Sequence, residues 1–180
     1  KGLADKLQTL DAIWNYAFFS QKQNQFVAAE KYYKLYINKL SSLSDTKSEE
    51  NEQKLANCYN NFAKLYRDTQ RFTESEQMFK SSLDIRKRLS ASNPLVYEPD
   101  LAMICINLAN LYRATKRFIE SEQMFKSVFE IYKRLFASNP QVYEPDLANC
   151  YNNLGLLYFS YLISYFRCLL KFVAFLVLLK

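Results

Sequence analysis

An internal repeat of 46 residues is the feature of this sequence that most constrains its fold. Residues 55–66 recur as residues 101–112 and again as residues 147–158, with an offset of 46 residues at each step. The segments that follow also recur in register, residues 71–80 as 117–126 and residues 92–100 as 138–146. A fixed period of about 20–50 residues is typical of solenoids and other repeat arrays.

A degenerate first copy of the repeat lies one further period toward the amino terminus. Its matches to the second copy pair Asn61 with Asn15, Phe62 with Tyr16, Ala63 with Ala17, Phe72 with Phe26, Glu76 with Glu30 and Phe79 with Tyr33. The array therefore spans most of the chain.

Each copy is predicted to form two helices. In the second copy, apolar residues at helical spacing share one face, namely Leu55, Tyr59, Phe62, Ala63 and Tyr66. A turn is predicted near Thr69 and Gln70, after which Phe72, Ser75, Phe79, Ser82 and Leu83 repeat the pattern. Residues 98–100 (Glu-Pro-Asp) and residues 48–50 (Ser-Glu-Glu) are predicted to start helices, since Pro suits the first helical position and Ser the cap. Stacked helix pairs would build a continuous core.

Composition excludes several kinds of chemistry. The sequence has no histidine, so Ser-His-Asp and Cys-His catalysis and histidine zinc sites are excluded. We also find no Gly-rich phosphate loop. Four glutamates recur with the repeat, and their positions near the starts of second helices explain them better than a catalytic role does: Glu74, Glu76, Glu120 and Glu122. We therefore expect no enzymatic activity, no cofactor and no metal.

The cysteines and the net charge point to an ordinary globular surface and core. Cys58, Cys105 and Cys150 lie within apolar helical patterns, where a free cysteine behaves as a small hydrophobic residue. No disulfide framework is indicated, which favours a reducing, cytoplasmic location. The net charge is +6, but Lys and Arg are interleaved with Glu and no basic stripe recurs. Nucleic acid is therefore not an expected partner.

The recurring residues of the 46-residue copies resemble the tetratricopeptide repeat. The resemblance rests on a large residue, a small residue and an aromatic three further on, as in Phe62-Ala63-Tyr66, Leu108-Ala109-Tyr112 and Leu154-Gly155-Tyr158. The second helix supplies a small residue and a large one four later, as in Ser75/Phe79, Ser121/Phe125 and Ala29/Tyr33. The 46-residue period is similar to the longer kinesin-light-chain-like and bacterial variety of the repeat.

The resemblance implies a fold and a function. The fold would be all-α, a right-handed superhelical solenoid of antiparallel helix pairs over residues 1–158, divided at about 1–46, 47–92, 93–138 and 139–158. The first helices of this family line a concave groove that takes peptides or partner helices. The expected function is therefore that of a scaffold for protein–protein interaction.

Candidate binding residues follow from that groove. Asn15, Asn61, Asn107 and Asn153, here called the asparagine ladder, precede the core residue by one and should face the groove. The neighbouring positions are Asn57, Lys64, Arg67, Met103, Asn110, Arg113, Asn149 and Asn152. Lys64, Arg67 and Arg113 would favour an acidic ligand or a free carboxylate. Alternatively, the ladder could hydrogen-bond between adjacent helices and lock the stack, and the two roles are compatible.

The tail, residues 159–180, departs from the repeat. Arg167 stands where the small residue is required and Lys171 where the large aromatic is required. Three interpretations stay open: a reading-frame disruption, an atypical closing helix, or a membrane anchor for a tethered adaptor. For insertion, thirteen Leu, Ile, Phe and Val contribute about −6 kcal/mol and the two cations about +5 to +7, a sum near zero.

Two further expectations concern the two ends of the chain. An unfinished last repeat would expose an apolar end, so self-association is expected. The first residue is Lys1 rather than Met, which suggests a fragment or a processed product.

Overall fold

The computed structural model describes residues 9–43 and 48–178, with side chains as far as residue 170. Within this part of the chain every regular element is an α-helix. The helices are α1 (Leu10–Lys22), α2 (Phe26–Ser41), α3 (Glu49–Asp68), α4 (Phe72–Ser92), α5 (Pro94–Ala114), α6 (Phe118–Ser138) and α7 (Pro140–Leu178). The predicted boundary between residues 46 and 47 lies outside the described residues.

The helices form two compact units, one extending to Ile104 and the other beginning at Cys105. In the first unit α1 packs on α2, α3 packs on α4, and α2 also contacts α3. Its core includes Ile13, Tyr33 and Phe62, each at most 2% exposed. In the second unit α6 packs on α7 around Phe125 and Leu157. The predicted all-α fold of helix pairs is confirmed.

Small residues mark the points where paired helices approach most closely. Ala63 is fully buried, and the Ser75 hydroxyl donates to its carbonyl oxygen at 2.8 Å. The same contact joins Ser121 to the carbonyl of buried Ala109, also at 2.8 Å. A larger side chain on either partner would separate the two helices, which explains the small residues of the repeat.

The turns inside each helix pair are built by one residue in the left-handed conformation. Asn24, Gln70 and Lys116, spaced by one period, have φ values of 58°, 60° and 63°. Thr69 closes the end of α3 by donating to the carbonyls of Leu65 and Tyr66 at 3.0 and 3.2 Å. The turn predicted at Thr69 and Gln70 is confirmed, as is the Ser48 cap, which accepts from the Asn51 amide.

The predicted helix start at residues 98–100 is wrong. Helix α5 begins at Pro94, and Pro99 lies inside it; α7 likewise begins at Pro140 and contains Pro145. Proline at the first helical position has no amide to leave unpaired, and the Asn93 carbonyl accepts from the Tyr97 amide at 3.1 Å. Residues 94–97, which precede the predicted helix start, are therefore the first turn of the helix, and only Asn93 separates α4 from α5.

Helix α7 continues without interruption past Tyr158, where the regular repeat was predicted to end. Arg167 lies on this helix and is exposed. Within the described residues no helix is both long enough and apolar enough to cross a bilayer. The side chains of residues 171–180, on which the membrane-anchor hypothesis also rests, lie outside the described part.

Candidate partner-binding faces of the first helices

Helix α3 carries a narrow polar strip that runs between buried positions in the second half of the helix. Asn57, Asn61 and Lys64 are spaced four and three residues apart, so their side chains share one side of the helix. Asn57 is exposed, whereas Asn61 and Lys64 are half-buried. The flanking residues Cys58 and Leu65 are buried. We call this strip the α3 face.

Helix α1, which contacts α3, carries a matching strip. It consists of Asp11, Asn15, Phe18 and Lys22, all exposed and spaced four, three and four residues apart. We call this strip the α1 face. The Lys22 ammonium lies 5.3 Å from the centroid of the Phe18 ring, a cation–π contact. The face thus offers a carboxylate, an amide, an aromatic ring and a cation in sequence.

Like charges are gathered between these two faces. Burial lowers the pKa of Lys64, and repulsion from Arg67 and Lys22 lowers it further. Asp68 partly opposes this repulsion, and its Oδ1 lies 3.0 Å from Nη2 of Arg67. A carboxylate docked beside Lys22 and Lys64 would relieve the repulsion between the two ammonium groups.

Two open cavities adjoin these faces. One, of about 360 Å³, is lined by Asn15, Tyr16 and Phe19, and Phe19 is 60% exposed. The second, of about 220 Å³, is lined by Asp11, Trp14, Tyr36, Lys54 and Asn57. Both combine aromatic rings with amide or charged groups, a mixture that suits a peptide side chain with its adjoining backbone.

Asn57 also takes part in a bond between helices. Its Oδ1 accepts from Nη2 of Arg86 on α4 at 2.6 Å, and the Arg86 side chain is only 3% exposed. This bond fixes the orientation of the Asn57 amide at the edge of the α3 face. A structural role of the kind considered for the asparagine ladder therefore occurs at its neighbour.

In the second unit the predicted residues lie on α5 and α7. Asn107, Asn110 and Arg113 are half-buried on α5, and the Arg113 Nη2 donates to the Asn110 Oδ1 at 3.2 Å. On α7, Asn149 is exposed and Asn153 is half-buried. Each predicted residue is thus at least partly accessible on a first helix.

A basic cleft of about 430 Å³ lies beside Arg113. Three cations line it, Arg113, Lys116 and Arg167, together with the hydroxyls of Ser160 and Ser164. None of the described residues that line it is acidic. Such a combination of guanidinium, ammonium and hydroxyl donors suits a carboxylate or another anion.

Sequence reasoning missed several residues of these faces. Asp11 and Phe18 stand one period before Asn57 and Lys64, so the 46-residue offset alone would have indicated them, and Lys22 lies four residues beyond Phe18 on the same side of the helix. Arg167 was treated only as a misfit to the repeat, because its approach to Arg113 depends on α7 continuing as a helix.

Comparison with known proteins agrees with this architecture. Residues 55–93 and 101–141 match the family model described as tetratricopeptide repeat. BtubC (BKLC) from P. vanneervenii has a similar structure, with a TM-score of 0.65, 27% identity and coverage of 84% of this chain. This chain spans only 55% of the BtubC chain. No curated protein sequence gives a significant match.

Two further crystal structures show the same fold. They contain the nearly identical TPR-like repeats of a candidate kinesin light chain from Podosopora anserina. The form with a single substitution has a TM-score of 0.62 and 16% identity, covering 92% of this chain and 78% of that one. The other form has a TM-score of 0.60 and 14% identity, covering 90% and 77%.

Helix pairs stacked at a fixed period define a helical-repeat protein of the solenoid class. Two copies of the repeat match the tetratricopeptide family model, and the structural neighbours of the chain are of the kinesin-light-chain-like variety, including the BtubC structure. The resemblance predicted from the sequence is confirmed.

Proposed function

We propose that this chain is a scaffold that binds a segment of a partner protein along the exposed faces of its first helices. Tetratricopeptide repeats are in general modules for protein–protein interaction, and the fold is typically non-catalytic. The observation that carries the proposal is the polar α3 face, which stays accessible between buried flanks and lies next to the α1 face.

The asparagines of these faces suit recognition of a peptide backbone. A side-chain amide offers both donor and acceptor groups, so it can pair with a backbone N–H and C=O whatever the partner's sequence. Asn15 and Asn61 occupy equivalent positions on α1 and α3, where the same bond pattern can be made twice along an extended segment. Specificity then comes from the adjoining cavity beside Phe19.

The charge of the faces favours an acidic segment. Burial lowers the pKa of Lys64, and Arg67 and Lys22 lie close enough to lower it further, so a carboxylate bound among these three cations would relieve their repulsion. The basic cleft of the second unit has the same preference. Charge-assisted hydrogen bonds to guanidinium and ammonium groups are the strong ones in such interfaces.

The test is to measure binding of fluorescent peptides to the full chain by anisotropy, comparing acidic peptides with charge-reversed ones. We expect the acidic set to bind, and Lys64→Glu to weaken that binding about tenfold, equivalent to about 1.4 kcal/mol. Lys87→Glu is the matched control, because Lys87 is exposed on a second helix, α4. Equal binding of both peptide sets, or equal losses in the two variants, would contradict an acidic partner.

The asparagine ladder has its own variant. Asn61→Ala keeps the charges of the face and removes one amide, so peptide affinity should fall while thermal stability stays close to that of the parent. A fall in stability with unchanged affinity would instead assign Asn61 to the bonding between helices.

A reducing compartment, such as the cytoplasm, is part of the proposal. The four cysteines are free thiols, and Cys58, Cys105 and Cys150 are buried as small core residues. Labelling of native protein with a thiol reagent should therefore modify Cys168 alone, since it is the exposed cysteine.

A further inference from the structure

The basic cleft of the second unit exists because α7 continues beyond the point where a regular first helix ends. One wall of the cleft is one side of α7, at helical spacing: Ser160, Ile163, Ser164, Arg167 and Cys168. The earlier first helices end one period apart at Lys22, Asp68 and Ala114, and the next position in that series is Ser160. Most of this wall therefore has no counterpart in the regular repeat, and the cleft is a feature of this chain.

The cations of the cleft are not neutralised by the chain itself. Arg113, Lys116 and Arg167 line it, and none of the three forms an ion pair with another residue of the described part. Arg117, which lies next to Lys116 in the sequence, is held by Glu120 at 2.8 Å. Three positive charges thus converge on one cleft without a carboxylate between them.

Hydrogen-bond donors accompany these charges. Nη2 of Arg113 donates to Oδ1 of Asn110 at 3.2 Å, which leaves the other N–H groups of the guanidinium for a ligand. The Ser160 hydroxyl donates to the Leu156 carbonyl at 2.7 Å, so Ser164 supplies the hydroxyl donor of the cleft. A fitting occupant therefore carries several acceptor oxygens and more than one negative charge.

A phosphate ester has these properties to a greater degree than a carboxylate. At neutral pH it carries a charge of about −1.5 to −2 and three acceptor oxygens, whereas a single guanidinium already satisfies a carboxylate. The cleft volume of about 430 Å³ lies in the range of pockets that hold small ligands. Ala114, Phe118 and Ile163 also line it, and these apolar groups suit the carbon atoms that carry the phosphate.

We propose that the basic cleft binds a phosphorylated side chain of the partner segment. This inference rests on the proposed function, because the segment that lies along the first helices is the one that would carry the phosphate. Arg113 follows Asn107 on α5 by six residues, or about 9 Å along the helix axis. An extended segment covers that distance in about three residues. The phosphorylated residue would therefore lie about three residues from the one that pairs with Asn107.

Cys168 provides the readout, because it lines the cleft and is exposed while the other three cysteines are buried. Alkylation of the full chain by iodoacetamide is timed at constant ionic strength with N-acetyl-phosphoserine amide. A ligand of this size should bind with a Kd on the order of 1 mM, so about 10 mM of it should slow alkylation about tenfold. The carboxylate analogue, N-acetyl-glutamate amide, should slow it less than about twofold.

Variants of the exposed cations test the assignment, each compared with its own rate without ligand. Lys116→Gln and Arg167→Gln should each raise the half-protecting concentration about threefold or more. Glutamine suits residue 116, since Gln70 one period earlier has a φ of 60° where Lys116 has 63°. The matched control is Lys133→Gln, an exposed lysine of α6 outside the cleft, which should leave protection unchanged.

Phosphorus NMR of the same compound, titrated with the full chain, measures binding without the thiol. Absence of both protection and a phosphorus shift would overturn the inference. Equal protection by the glutamate compound would do the same, as would protection that neither Lys116→Gln nor Arg167→Gln reduces. Inorganic phosphate is the last arm, and protection equal to that by the phosphoserine compound would overturn the assignment to a side chain.

The outcome is distinguishable from that of the peptide-binding test of the proposed function. Lys64 belongs to the first unit, so Lys64→Glu leaves the cleft intact and should not alter protection of Cys168. Failure of the acidic peptides with protection retained would contradict the proposed function alone. Peptide binding that is sensitive to Lys64→Glu, without protection of Cys168 or a phosphorus shift, would contradict the phosphate site alone.

Discussion

At the scale of single residues, Arg86 shows how a buried cation is accommodated between helices. It donates through Nη2 to Asn57, and Nη1 lies 2.6 Å from Oδ2 of Asp100. That N–H is not directed at an acceptor, so the contact with Asp100 is an ion pair rather than an aligned hydrogen bond. Burial lowers the pKa of Arg86, and the Asp100 charge opposes this. Leu40 and Tyr132 stand one period away on either side, so the charge is not required by the repeat.

Two substitutions distinguish the stabilisation that the Arg86–Asp100 ion pair gives from the free-energy cost of burying the Arg86 cation. Arg86→Leu replaces the buried cation with the residue of the first repeat and leaves Asp100 hydrated at 43% exposure, so stability should change by less than about 1 kcal/mol. Asp100→Ala leaves Arg86 buried without a counter-ion and should cost about 2 kcal/mol. Guanidinium unfolding of both variants measures the difference. A larger loss for Arg86→Leu than for Asp100→Ala would show that the cation itself stabilises the array.

At the scale of helices, the residues at the turn position explain why α7 continues as a single helix instead of turning back into a second one. The left-handed turn residues Asn24, Gln70 and Lys116 are followed one period later by Leu162, and Thr69 and Thr115 by Tyr161. Leucine rarely adopts a positive φ, and tyrosine cannot make the short bond by which threonine closes a helix on its own carbonyls. Leucine is also a strong helix former, so the helix continues through the position of the turn.

The turn predicts opposite effects for the same substitution at two sites. Gln70→Gly should stabilise the protein by up to about 1 kcal/mol, because glycine adopts a positive φ without steric cost. Gln77→Gly, at an exposed position inside α4, should destabilise it by about 1 kcal/mol. Thermal melts followed by circular dichroism compare the two. If both variants lost stability equally, the left-handed conformation of Gln70 would not be under strain.

The features of the fold that the sequence predicted correctly depend on local patterns. Apolar periodicity, the Ser48 cap and the turn at Gln70 each depend on residues within a few positions, and these predictions were confirmed. The start of α5 was wrong because two prolines, Pro94 and Pro99, can each occupy a first helical position, and only packing of Tyr97 into the core decides between them. Tyr97 is buried and bonds through its hydroxyl to Glu49 and Gln53 of α3.

The binding faces were predicted less completely, for a related reason. Residue spacing identified Asn61 and Lys64 as neighbours on one helix side, which needs only helical geometry. The bond from Arg86 to Asn57 joins residues 29 positions apart and depends on how α4 packs on α3. The same holds for the approach of Arg167 to Arg113. Contacts of this kind are set by tertiary packing and are not visible in a periodic pattern.

At the scale of the whole molecule, the acidic groups with shifted pKa values titrate either well below or well above neutral pH. The pKa values of Glu50, Glu74 and Glu122 are lowered by hydrogen bonds from Lys54, Arg71 and Lys126 respectively. Burial raises the pKa of Glu30, but hydrogen bonds from Lys34, Arg71 and Tyr66 outweigh it and lower the value. Burial raises the pKa of Tyr36 to about 12 and that of Cys150 to about 11.

These shifts predict a stability profile that is flat around neutral pH. A carboxyl group with a lowered folded-state pKa stabilises the protein above its unfolded value of 4.5, and this contribution is lost as pH falls below it. Groups with raised values, Cys150 and Tyr36, stabilise the protein below their unfolded values of 9.0 and 10.0, and their contribution is lost as pH rises toward 11 and 12. Since the sequence has no histidine, no side chain titrates in between at its ordinary pKa.

The melting temperature should therefore vary by less than about 2 °C between pH 6 and pH 8 and decline on both sides of a plateau from about pH 5 to pH 9. Glu30→Gln should reduce the acid decline and Tyr36→Phe the alkaline one, because each removes one shifted group while keeping its shape. Calorimetry across this range, with both variants beside the parent, measures the profile. A steep change near pH 7 would mean that a group other than these is strongly perturbed in the folded protein.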